Sequence, residues 1–208
     1  QVENHLPDVL RTIRAAFLPS PEAGRGAGGE GETVIAWLWA RTVKCPNPAC
    51  GAQMPLVRSF ELSKKKGRQA WVEPHVDAQT RHISFEVKTG SGKAREGTVN
   101  RRGATCLACG SPVPFDHIRA EGKAKRMGAQ LMAIVTEGQN GRSYYSPTPE
   151  HEGIAQVEIP AGAPDTDLPE QALGFRVQLY GMTKHRDLFT PRQLVALTTF
   201  SDLVSEAR

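Results

Sequence analysis

Apolar residues recur along this chain at two different intervals. Near the start, Leu6, Val9, Leu10, Ile13 and Phe17 fall three or four apart, which predicts a helix with one apolar face over Leu6–Leu18. Pro19 and Pro21 end it. Ala23–Gly31 holds five glycines and reads as a flexible linker.

From Thr33 the pattern becomes β-like. Thr33–Val43 (TVIAWLWARTV) is rich in β-branched and aromatic residues and apolar on both faces, which predicts a buried strand, with a short helix as the rival. Further strands are expected at Met54–Leu62, Gln69–Glu73 and His82–Lys88, with a turn from Pro74 to Thr80. A weak short helix is expected at Phe115–Ala124. Gln130–Thr136 and Arg142–Ser146 read as strands joined at Asn140-Gly141, a pair suited to a type I′ hairpin. Gly153–Pro160 and Gly174–Tyr180 are two more candidate strands. The last element is a helix: Thr190-Pro191-Arg192-Gln193 places Thr at the N-cap, Pro at N1 and Gln at N3. Leu194, Leu197, Thr198 and Val204 supply its apolar side.

These elements predict an α+β fold. Its centre is an antiparallel, β-rich zinc-ribbon module with an extended hairpin insert, followed by further strands and a C-terminal helix. The expected divisions are 1–31 (helix and linker), 32–126 (zinc-ribbon module with β insert) and 127–208 (hairpin region and final helix). Composition agrees: 39% of residues are hydrophobic and 35 are Gly or Pro, which suits a loop-rich chain better than a helical bundle. No apolar run approaches the about 18 residues of a membrane span. The opening residues lack a signal-peptide pattern and a methionine. The expectation is therefore a segment of a longer, cytoplasmic protein.

The candidate chemistry lies in four cysteines. They form two close pairs, Cys45-Pro46-Asn47-Pro48-Ala49-Cys50-Gly51 and Cys106-Leu107-Ala108-Cys109-Gly110. Glycine follows the second cysteine of each pair, as in a zinc knuckle, where it lets the backbone close around the metal. Two facing knuckles give four thiolates, a closed tetrahedral set suited to structural Zn2+ and leaving no position for a reactive water. Two alternatives stay open. One is a thiol redox pair at Cys106/Cys109. The other is an iron–sulfur cluster, in which His117 could replace a cysteine. The 55 residues between the knuckles exceed the spacing of a compact ribbon, and the strands within Met54–Lys88 account for the excess.

Charge is uneven. Residues 58–126 hold fifteen basic and seven acidic side chains, net +8, against net zero for 1–57 and −4 for 127–208. Such an excess is a physical argument for an anionic partner, most often nucleic acid. The candidate contacts are Lys64, Lys65, Lys66 and Arg68, then Arg101 and Arg102, then Lys123, Lys125 and Arg126. The plain alternative is a lysine-rich hairpin tip that keeps an edge soluble. Trp37, Trp39 and Trp71 read as core residues rather than stacking platforms. No nucleophile-elbow, zincin or P-loop string is present, so no catalytic residue is assigned. His185-Arg186-Asp187 stands without the other kinase motifs.

Several strings together resemble one family. Thr33-Val34-Ile35-Ala36-Trp37-Leu38-Trp39-Ala40-Arg41-Thr42-Val43-Lys44-Cys45 and the first knuckle after it are similar to the opening of the insert in adenine-specific DNA methylases that contain a zinc ribbon and an N-terminal DUF1156 region. Ser63-Lys64-Lys65-Lys66-Gly67, Asn100-Arg101-Arg102-Gly103-Ala104-Thr105-Cys106, Tyr180-Gly181-Met182 and Asp187-Leu188-Phe189-Thr190-Pro191-Arg192-Gln193-Leu194 belong to the same resemblance, which runs from about Glu32 onward. It implies a methyltransferase that uses S-adenosylmethionine (SAM) and acts on adenine in DNA. The family's Asp-Pro-Phe and Asp-Pro-Pro-Tyr motifs do not occur in these 208 residues. The chain thus resembles the internal zinc-ribbon segment, with SAM belonging to the parent protein. The expected partners are DNA and the rest of a methylase chain. The rival readings are a stand-alone nucleic-acid-binding module and a protein-interaction domain.

Overall fold

The computed structural model describes residues 32–170 and 176–206. The expected helix at Leu6–Leu18 and the glycine linker lie outside them. The described residues form an α+β fold, mostly antiparallel sheet, in two compact units. One is 32–147 with Leu179–Gly181; the other is 148–170, 176–178 and 182–206. The expected division at 126/127 falls inside the first unit.

The first unit is built on β1 (Thr33–Lys44). This long strand pairs with β2 (Gln53–Leu56) at its C-terminal end and with β8 (Gly128–Gly138) along most of its length. β9 (Gly141–Tyr145) completes a sheet of order β2-β1-β8-β9. The β-branched, two-sided apolar sequence therefore forms a strand and not the rival helix. A second sheet holds β3 (Glu61–Ser63), β4 (Ala70–Val76) and β5 (Ile83–Thr89) in that order. A short ribbon pairs β6 (Gly103–Thr105) with β7 (Pro112–Pro114). Helix α1 (Phe115–Lys123) follows at once. Val43, Met54, Phe60, Val72, Ile83, Phe85, Val113 and Ile118 share one buried cluster. Gln130 Nε2 donates to the Ile83 carbonyl at 2.7 Å, and Val87 N–H to Ser146 Oγ at 2.8 Å, stitching the sheets together.

The single strand expected at Met54–Leu62 is two strands in two sheets. The chain crosses between them at 57–60, where Thr98 supplies the bonds a neighbouring strand would have made. Its hydroxyl donates to the Pro55 carbonyl at 2.7 Å and accepts from Val57 N–H at 2.9 Å. Both sheets bury their apolar side chains in one core, so the sequence pattern runs on through the break. Pro74, expected to begin a turn, lies within β4 opposite Phe85. Val72 N–H points to the Phe60 carbonyl on the β3 side. Position 74 faces the same way, beyond the end of β3, so its missing N–H forfeits no ladder bond. The β8–β9 turn is also shifted: its central residues are Gln139-Asn140 and only Gly141, just after them, has positive φ, at 94°. It is not the expected type I′ turn at Asn140-Gly141.

The second unit corrects two strands. Where Gly153–Pro160 was expected, helix α2 (Pro149–Ile154) occupies the start and no strand follows. Thr148 and His151 cap it reciprocally, with Thr148 N–H donating to His151 Nδ1 at 3.2 Å. Of the strand expected at Gly174–Tyr180, residues 174 and 175 lie outside the described residues and Val177–Tyr180 is a single 3-10 turn. Its alternating apolar residues have no sheet to join. The final helix, α3 (Pro191–Glu206), forms as expected. Thr190 N–H donates to Gln193 Oε1 at 2.9 Å and Gln193 N–H to Thr190 Oγ1 at 3.3 Å. Leu194 is buried, whereas Leu197 and Val204 are exposed, as is Phe200.

Candidate metal centre

β1 delivers Cys45 and β2 leads away from Cys50, so the first knuckle is the loop joining the two strands. Cys45 N–H donates to the Ala52 carbonyl at 2.8 Å. Inside the loop, the Asn47 carbonyl accepts from Cys50 and Gly51 N–H at 3.0 and 3.1 Å, and its side-chain oxygen accepts from Ala49 N–H at 3.0 Å. The second knuckle joins β6 to β7. There Cys106 N–H donates to the Ser111 carbonyl at 2.9 Å and the Cys106 carbonyl accepts from Gly110 N–H at 2.9 Å. Gly51 and Gly110 have φ of 60° and 73°, left-handed values that glycine adopts at little cost.

The four Sγ atoms lie within 4.8 Å of one another. Cys45 and Cys109 Sγ are 3.8 Å apart, and Cys50 and Cys106 Sγ 3.9 Å. A tetrahedron of thiolates about 2.3 Å from a central ion has edges of about 3.8 Å, so the spacing fits a shared metal. It is far longer than the about 2.05 Å of a disulfide. Cys45 and Cys106 are buried, Cys50 is half-buried and Cys109 exposed.

Backbone N–H groups point at the sulfurs: Asn47 toward Cys45, Ala108 and Cys109 toward Cys106, and Ser111 toward Cys109. Burial outweighs them at two thiols, pushing Cys45 up to about 12 and raising Cys106. Cys109 goes the other way, down to about 6, chiefly through hydrogen bonds from the Ser111 side chain and backbone. Asn47 ties the knuckles together. Its side-chain amide donates to Ser111 Oγ at 3.2 Å and approaches Cys109 Sγ at 3.9 Å. Arg81 Nη1 donates to the Ala108 carbonyl at 3.3 Å, placing the β4–β5 turn at the second knuckle.

Two details of the alternative readings lose support: His117 as a ligand, and Cys106/Cys109 as a redox pair. His117 stands outside the sulfur group, with its Nε2 bonded to the Lys44 carbonyl at 2.8 Å. A redox C-x-x-C needs a helix starting at the motif, but Gly110 and Ser111 lead into β7 and α1 begins only at Phe115.

The basic residues are spread out rather than gathered. Lys64, Lys65, Lys66 and Arg68 lie on the β3–β4 turn, at the end of β4 away from the knuckles. β4 has seven residues, so that distance is about 20 Å. Lys64 pairs with Glu61 at 3.1 Å, and Arg68 donates to the Asn140 carbonyl. Arg101 and Arg102 are exposed at the turn before β6. Lys123, Lys125 and Arg126 end α1. The α1 C-terminus closes with Arg126 N–H on the Glu121 carbonyl at 2.9 Å and Lys125 N–H on that of Gly122 at 3.0 Å, a Schellman pattern with Lys125 at φ 56°. The Lys125 ammonium donates to the Gly181 carbonyl.

Sequence reasoning missed a cleft of about 560 Å3 beside the first knuckle, whose lining includes Lys44, Asn47, Gln53, His117, Glu121 and Arg126. Glu121 is held below the ordinary carboxylate range by the Arg126 guanidinium, with smaller help from His117 and Lys44. The cleft's parts come from two separate stretches of chain, 44–53 and 117–126, and of the six residues named only Arg126 and His117 stood out in the sequence, neither as part of a cleft. In the other unit, Asp187 Oδ2 accepts from Thr183 and Lys184 N–H at 2.9 and 3.1 Å, local turn bonds rather than a catalytic arrangement.

Fold and site together define an α+β chain carrying four cysteines placed so that they could hold one metal ion. No protein-family model, no curated protein and no solved structure matches it. No helix among the described residues is long and apolar enough to cross a membrane.

Proposed function

We propose that this chain is the zinc-ribbon segment of a SAM-dependent, adenine-specific DNA methyltransferase, and that it helps the enzyme hold DNA. The observation that carries the reading is the convergence of Cys45, Cys50, Cys106 and Cys109 on one point at glycine-closed knuckles. A tetrahedral set of four sulfurs selects zinc or an iron–sulfur centre, and the single-ion spacing favours zinc. Four thiolates fill the coordination sphere, so the ion stabilises the fold and leaves no position for a reactive water. The net +8 of residues 58–126 supports a polyanionic partner. The methylase assignment rests on the sequence strings, and with neither catalytic motif string present the role proposed is binding, not methyl transfer. The cytoplasm suits reduced thiols.

The test is a fluorescence titration of the zinc-loaded chain with a short DNA duplex over a series of salt concentrations. The expected result is one zinc per chain and an affinity that falls steeply with salt. Absence of DNA binding by a zinc-loaded, folded chain refutes the reading. It would favour the protein-interaction alternative, for which the exposed Leu197, Phe200 and Val204 on α3 speak.

A further inference from the structure

The cleft beside the first knuckle gathers charge in an ordered way. Lys44 ends β1 and lies opposite Gln53 of β2, and both are exposed. Across the cleft, Glu121 is almost enclosed, with 11% of its side chain exposed, while 61% of the Arg126 side chain is exposed. Glu121 accepts Arg126 Nε at 3.0 Å and Nη2 at 2.5 Å. Two of the five guanidinium N–H groups are thereby used, and three remain. The Glu121 carboxylate thus aims the guanidinium and cancels one charge. Lys44 stays as a surplus cation, and His117 sits beside it through the Lys44 carbonyl. An aimed guanidinium opposite an ammonium, in an open cleft, matches a tetrahedral oxyanion.

We propose that this cleft binds one phosphate group, held between the Lys44 ammonium and the free edge of Arg126, with Gln53 and Asn47 as hydrogen-bonding neighbours. The inference rests on the nucleic-acid reading for the source of that phosphate, a backbone phosphodiester; a free phosphate ion shares the chemistry. It places the primary contact at the metal centre and not on the lysine turn between β3 and β4. Lys44 pairs with Gln53 across β1 and β2, so the sheet sets where its flexible stem starts and which rim of the cleft its ammonium reaches from.

The experiment uses the zinc-loaded full chain, labelled with nitrogen-15, and two probes: a short DNA duplex and inorganic phosphate. The Arg126 Nε–H and His117 ring signals are expected to move with at least one probe. Movement with DNA identifies the backbone as the source; movement with phosphate but no DNA binding keeps the site and removes the nucleic-acid reading. Lys44→Ala should reduce the salt slope of DNA binding by about 0.9, the share of one phosphate contact. Gln53→Glu, an exposed substitution on the neighbouring strand, should weaken binding several-fold. DNA binding that leaves the cleft signals still, or a silent cleft with both probes, overturns the site. So does an unchanged salt slope in a Lys44→Ala protein that retains zinc. If Lys44→Ala loses zinc, Lys44 serves the thiolate centre, and unchanged binding in Gln53→Glu then overturns the site.

Discussion

Cys45–Cys50 and Cys106–Cys109 bring sulfur to one point from loops of different length and very different support. Each knuckle closes with its first cysteine's N–H on the carbonyl just after its glycine, Ala52 in one and Ser111 in the other. Each puts that glycine in the left-handed region. The first spends two more residues, and Asn47 takes up the slack through three backbone-directed bonds. The supports differ more. The first knuckle hangs from β1, a twelve-residue strand paired on both sides. The second hangs from two three-residue strands that pair with each other, with one further bridge from Ala104 to Val99. An isolated two-stranded ribbon is marginal in water. The second knuckle therefore has less strand pairing of its own than the first, and a bound metal would stabilise it more.

The largest effect should come from removing the metal, by chelation or by Cys106→Ser. Structural zinc supplies about 10–16 kcal/mol in small modules, so several kcal/mol of stability should disappear, unevenly. Hydrogen exchange should show the amides of Ala104, Thr105, Cys106 and Val113 losing protection while those at the centre of β1 and β8 keep most of theirs. Equal loss in both places breaks the comparison.

Acid should come next. The Cys45 thiol, pushed up to about 12, and Cys106, also raised, both hold their protons at neutral pH. Metal must displace at least these two protons, so affinity should rise about a hundredfold per pH unit through neutrality and fall as the solution is acidified. Cys109 has the opposite sign. Its folded-state value is depressed to about 6, so the stabilisation from the Ser111 hydrogen bonds is present above the ordinary thiol value and is lost as pH falls through about 6. Competition with a chelator across this range measures the slope; a slope below two protons would mean that the metal does not displace the protons of both Cys45 and Cys106.

The smallest effect should be Asn47→Ala, which cuts the link from the first knuckle to Ser111 and the turn bond to Ala49. A cost of about 1 kcal/mol is expected in thermal unfolding, with full metal occupancy retained. Loss of the metal would mean that the longer loop cannot hold its shape unaided by Asn47.

Elements that satisfy their own chemistry were legible in advance. β1 announces itself by β-branched and aromatic residues, α3 by Thr190 and Gln193, and the knuckles by cysteine and glycine spacing. The failures share a different cause. Met54–Leu62 carries one unbroken apolar pattern, yet Thr98, about forty residues away, divides it between two sheets. Gly153–Pro160 and the described part of Gly174–Tyr180 alternate like strands but have no partner strand among the described residues. Strand pairing is a long-range event that no local window records.

The metal centre follows the same division. Sequence alone determined which four sulfurs form the site, because ligand type and knuckle spacing are local properties of the chain. Only the tertiary structure decided how near the knuckles come, which thiols are buried, and that Lys44, Gln53, His117, Glu121 and Arg126 share one cleft. Those positions meet because β1 pairs with β2 and α1 follows the second knuckle, and proximity created by folding leaves no trace in residue order.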